Sequence, residues 1–109
     1  MDTLSYRVVL MTAGSAEEAT QLARTLVSER LAACVNIVGP IRSIYRWQGK
    51  VEDNSEHLLI AKTCADLVSR LAERVKALHS YQVPEVLALP VLYGWPPYLE
   101  WLGQETSQA

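Results

Sequence analysis

Residues 6 to 12, YRVVLMT, are a run of β-branched and aliphatic residues that stops at Ala-Gly-Ser, the pattern of a strand running into a turn. The period then changes. Ser15 with Glu18 three positions on forms a capping box, and Ala19, Leu22, Ala23, Leu26 and Val27 recur at helical spacing, which predicts a helix to about Leu31. CVNIV, residues 34 to 38, reads as a strand interrupted by Gly39-Pro40. IRSIYRWQGKV keeps strong β character through a turn signal at Gly49-Lys50, and the polar EDNSE links it to a further strand, HLLIAKT, residues 57 to 63. Such a link predicts an antiparallel hairpin. A second capping box, Thr63 with Asp66, opens an amphipathic helix that carries Leu67, Leu71, Val75 and Leu78 on its inner face and ends near His79. EVLALPVL follows as a strand whose Pro90 marks an edge or a bulge, and PPYLEWLG is a short helix opened by proline.

The order β-α-β-β-α-β plus a terminal helix predicts an α+β fold, the ferredoxin-like split β-α-β sandwich with two helices on one face of an antiparallel sheet. Strand residues alternate between faces, so Val8 and Leu10 oppose Val9 and Met11, and Leu59 and Ala61 oppose Leu58 and Ile60. Both faces are apolar, and two helices cover only one. The bare face predicts a homo-oligomer that packs sheet on sheet or extends strands between subunits, with the SIYRWQG hairpin as a bridge.

At 109 residues the chain predicts one domain, residues 1–109, and 50% hydrophobic against 20% charged residues predicts a packed core. A formal charge of -2 with no basic cluster excludes a general nucleic-acid or anionic-membrane binder. MDTLSYRVVL has no secretory pattern and no apolar run reaches bilayer length, so a cytoplasmic protein is expected. Cys34 and Cys64 have no metal-ligand spacing and read as small packed residues.

Candidate chemistry is sparse. No GxSxG, SxxK or local Cys-His pairing is present, and 5 glycines build neither GxGxxG nor GxxxxGK[ST], so neither an enzyme nor an organic cofactor is expected. The strands VVLMT and LALPV lack the stacking aromatics of an RNA-binding sheet. Tyr45 and Trp47 share one face of a hairpin strand, with Arg46 opposite, and read as interface anchors. Trp95, Pro96, Pro97, Tyr98 and Trp101 read as docking the last helix on the body or on a neighbour. His79, with a soft sulfur or a carboxylate beside it, can hold copper or zinc; in the last turn of a helix it can equally serve the helix dipole. Both readings stay open. Glu85 can pair with Lys62 or cap backbone amides, and His57 reads as a solvated strand end.

ERLAACVNIVGPIRSIYRWQGKVEDNSEHLLIAKT, residues 29 to 63, then VKALHSYQVPEVLALPV and YLEWL, closely resemble the CutA divalent-cation tolerance proteins. The resemblance implies a ferredoxin-like subunit in a tight homotrimer, similar to the PII signalling proteins, with a cleft between subunits and a role in tolerance of copper and other divalent cations. Copper-binding members use a cysteine in a VLCTA-type strand and a His-His pair in an HHPY-type motif. Met11 occupies the cysteine position here, and Leu78-His79-Ser80 keeps one histidine of the pair. The resemblance therefore makes Met11, His79 and Glu85 the candidate metal ligands, with Trp47, Lys62, Tyr81, Pro84 and Glu85 around the intersubunit cleft. Two further readings remain: a PII-like sensor holding a small anion or metabolite in that cleft, and a structural interaction module without a ligand.

Overall fold

The computed structural model describes residues 5–108. In chain order these form β1 (Tyr6–Ala13), α1 (Ala16–Ser28), β2 (Cys34–Trp47), β3 (Lys50–Cys64), α2 (Val68–Leu78), β4 (Val86–Pro90) and α3 (Pro96–Glu105). The strands lie in the order β2-β3-β1-β4, each antiparallel to its neighbours. β3 thus separates β1 from β2, and β1 separates β3 from β4, which is the split β-α-β arrangement of the ferredoxin-like class.

Alternation assigns the two faces as the sequence predicts. Val9, Met11, Leu59 and Ala61 turn inward and join Leu22 and Leu26 of α1 and Leu71 and Val75 of α2 in one cluster, all less than 2% exposed. Each buried leucine there contributes about 1.5–3 kcal/mol relative to an exposed one. The opposite face carries Val8, Leu10, Leu58 and Ile60, flanked on β4 by Leu87 and Leu89, which pair with Leu10 and Val8. Leu87 is 57% and Leu89 47% exposed, so this face is bare over most of its width. Only its far end is closed, where Leu99 and Leu102 of α3 pack on Tyr6 and Ala33. Those leucines dock α3 on the body; Trp95, Tyr98 and Trp101 remain substantially exposed, which leaves their bulk to a neighbour and not to the body.

Local departures from the sequence pattern have local causes. α1 stops at Ser28, before Leu31, because Arg30 adopts φ 60° and the amides of Arg30 and Leu31 return to the carbonyls of Val27 and Leu26, a Schellman closure with Leu31 packed beneath it. Thr63 does not cap α2. It is fully buried in β3 and its hydroxyl donates to the Leu31 carbonyl at 2.6 Å, fastening the end of α1 to the sheet. EDNSE is not a link but the middle of β3, which pairs with β2 from Cys34 to Trp47 across an irregularity between Val38 and Ile41, where the Gly39-Pro40 peptide is cis. The turn is Gln48-Gly49, with φ of 51° and 80°, the left-handed pair a two-residue hairpin loop requires. Consecutive polar residues suit this arm because it is exposed on both faces, and the molecule is elongated, 45 × 25 × 22 Å. His57 is not a solvated strand end: its ring lies against Gly39, where a Cβ would come within 2.2 Å of it, and its Nδ1 is buried without a partner among the described residues.

Candidate functional site

α2 ends at His79, whose backbone turns extended (ψ 143°) while its amide still donates to Val75 at 2.8 Å. The segment that follows is latched down at successive points. The Ser80 amide and hydroxyl donate to the Glu18 carboxylate at 2.8 and 3.1 Å, and the Gly14 amide donates to the same group at 3.2 Å. Glu18 is the acid of the predicted capping box; Ser15 Oγ indeed accepts from the Glu18 amide at 3.1 Å, but the carboxylate reaches across to the α2 exit as well. Burial alone would raise the pKa of Glu18; the three hydrogen bonds outweigh it and hold the group below the ordinary carboxylate value.

His79 is 9% exposed and both its nitrogens are in use. Nε2 lies 2.7 Å from the Thr12 carbonyl and Nδ1 3.0 Å from the Tyr81 amide. A carbonyl only accepts and an amide only donates, so the proton sits on Nε2 and the Nδ1 lone pair is taken. The Tyr81 ring lies tilted by 52° against the imidazole, 4.6 Å between ring centres, and Gly14 leaves it room, since a Cβ there would stand 3.1 Å from the phenol oxygen. Tyr81 Oη donates to Glu56 Oε2 at 2.8 Å. Burial and the Glu56 carboxylate together push the phenol pKa well above its usual range.

Between this segment and the root of the β2-β3 arm lies an open groove of about 910 Å³. Tyr45, Trp47, Glu56, Tyr81 and Glu85 are its chemically distinctive walls. Tyr45 Oη accepts from Asn54 Nδ2 at 2.7 Å, which orients the aromatic wall. Glu85 is pushed above the ordinary carboxylate value by burial and by the nearby Glu56 charge.

The groove gathers Trp47, Tyr81 and Glu85, with Pro84 in the segment that forms its lip. It does not gather the rest of the expected set. Lys62 lies six positions beyond Glu56 on β3, about 20 Å along the strand, and its ammonium donates to the Asn36 side chain. Met11 is wholly buried in the helix-covered core, and its thioether packs there among aliphatic side chains. Among the described residues no group of three or more His, Cys, Asp or Glu side chains is placed to hold a metal ion. With Met11 in the core and both His79 nitrogens bonded, the donor set Met11, His79 and Glu85 does not fit a metal centre in this arrangement. Glu56 escaped the sequence reading, which gave Tyr45 only as an interface anchor and Glu18 only as the acid of a capping box.

The fold and groove define a small ferredoxin-like α+β protein with one bare apolar sheet face, a projecting two-stranded arm, and an acidic, aromatic groove at the arm's root. Residues 7–105 match the model of the CutA1 divalent ion tolerance protein family, and the chain belongs to that family. It is 54% identical over 100 residues to the divalent-cation tolerance protein CutA of Thermus thermophilus, covering 92% of this chain and 97% of that one. It is 52% identical over 104 residues to the chloroplastic CutA of Arabidopsis thaliana, where 95% of this chain spans only 57% of the relative. The crystal structure of CutA1 from Oryza sativa superposes with a TM-score of 0.93 at 48% identity, covering 99% of this chain and 100% of that one. No helix among the described residues is long and apolar enough to cross a membrane.

Proposed function

We propose that this chain serves divalent-cation tolerance as a non-catalytic, single-domain homotrimer whose groove becomes an intersubunit cleft for a small ligand. The observation that carries the assembly is the bare sheet face: Leu10, Leu58, Ile60, Leu87 and Leu89 form one apolar surface with no covering element among the described residues. Three copies is the number the family resemblance implies. In this proposal the connection to copper or other divalent cations does not run through a resident centre at Met11 and His79, because the Met11 thioether is sealed in the core and both His79 nitrogens are hydrogen-bonded. The PII-like sensor reading is favoured by the groove itself, whose size and mixed aromatic and polar walls suit a small molecule. The proposed compartment is the cytoplasm, a reading supported by the free thiols of Cys34 and Cys64.

Light scattering on the full chain tests the assembly. Three chains per particle are expected for the wild type, and Ile60→Glu, a charge placed in the middle of the bare face, should dissociate it. A wild type that stays monomeric at micromolar concentration would end the proposal.

A further inference from the structure

The composition of the groove goes further than its size, and the step rests on the ligand-cleft reading above. Glu56 is 6% exposed, and its one hydrogen bond among the described residues is the Tyr81 hydroxyl on Oε2, so Oε1 is left to the solvent-facing side of the groove. A carboxylate removed from water is costly unless a cation or several donors compensate it. No lysine or arginine lines the groove among the described residues. Lys76, in the last turn of α2, donates its ammonium to the Gln82 carbonyl at 2.7 Å. A second carboxylate, Glu85, lies close enough to feel the Glu56 charge.

We infer that the groove is a site for a small organic cation, an alkylammonium or diamine, held between the Glu56 and Glu85 carboxylates and the rings of Tyr45, Trp47 and Tyr81. Two carboxylates supply charge-assisted acceptors for N–H donors, and electron-rich ring faces attract an ammonium with its alkyl stem. The same walls repel phosphates and carboxylates, so the anionic ligand of a PII-like reading is the wrong sign. A bare divalent metal ion is also a poorer fit. Hard cations take six or more oxygens in fixed geometry, and two carboxylates leave most of that shell to water.

Titration calorimetry and thermal shift on the full chain in its native assembly test this, with putrescine and spermidine as probes and butanediol, inorganic phosphate and magnesium chloride as controls. The amines should bind, raise the melting temperature, and weaken as salt increases. Glu85→Gln, at an exposed position, should keep the native circular dichroism and lower amine affinity about tenfold or more, the effect of removing one charge-assisted bond. Equal binding of butanediol, an unchanged Glu85→Gln isotherm, or no amine heat at millimolar concentration each overturns the cation site. If phosphate binds instead, the ligand cleft survives and the cation class falls; if no probe of either charge binds, the cleft reading falls with it. Amine binding that appears only in Lys62→Ala would mean that a neighbouring copy's lysine already fills the groove, and also overturns the inference.

Discussion

His79→Ala separates a structural imidazole from a metal-binding one. The substitution strands two backbone groups at once, one buried and one part-buried: the Thr12 carbonyl, which accepts from Nε2 at 2.7 Å, and the Tyr81 amide, which donates to Nδ1 at 3.0 Å. Each unpaired buried group costs about 1–3 kcal/mol. The side chain sits at the edge of the core, 9% exposed, so water can reach part of the vacated space and soften the loss. The expected destabilisation is therefore about 2–4 kcal/mol, with the lost ring contact to Tyr81 contained in that range. Urea unfolding at one fixed protomer concentration measures it, since association itself shifts apparent stability. Calorimetric titration with Cu(I) and with Cu(II) runs in parallel, and the two isotherms of wild type and variant should coincide. A variant that loses less than about 0.5 kcal/mol, within the range of an ordinary surface substitution, while copper affinity collapses, would refute the argument that both nitrogens are committed to the fold.

Two further outcomes follow from single side chains. Thr63→Val keeps the shape of a fully buried residue but removes the hydroxyl that donates to the Leu31 carbonyl at 2.6 Å, and should cost about 1–3 kcal/mol in the same unfolding assay. Glu18 has its folded pKa held below the ordinary value of 4.5, so its contribution is complete above that pH and is lost as pH falls through the lower folded pKa. Melting temperature against pH should therefore drop along an acid limb that is shallower in Glu18→Gln; identical limbs would show that the Ser80 and Gly14 hydrogen bonds do not favour the ionised form.

Much of the fold was legible because hydrophobic period is a local property. The change from period two in YRVVLMT to helical spacing after Ser15 marks β1 and α1, and alternation alone predicts that Met11 and Val8 point to opposite faces. The reading failed where a residue's role depends on a partner far along the chain. Thr63 and Asp66 have the spacing of a capping box, but the Leu31 carbonyl, brought beside β3 by the return of the chain from α1, takes the Thr63 hydroxyl instead. EDNSE has the polarity of a loop, and becomes strand because the Gln48-Gly49 turn holds it in register against Ile41 to Tyr45.

The candidate site divides along the same line. HSYQVPE reads from sequence as a helix stop, a turn and a strand start with a histidine of open purpose, and the residue types alone allow copper. Tertiary contact decided otherwise, since β1 places the Thr12 carbonyl against Nε2 and the turn returns the Tyr81 amide to Nδ1. Glu56 shows the converse: a polar residue in an apparent link is carried by strand pairing to the groove wall, where burial with a single hydrogen bond makes its charge the dominant feature. The sequence by itself determined the order of helices and strands and that both sheet faces are apolar, because those follow from each residue's neighbours one to four positions away. Only the tertiary structure decided which donors and acceptors are already satisfied, because a hydrogen bond closes over about 3 Å between groups that can be 67 residues apart, as Thr12 and His79 are.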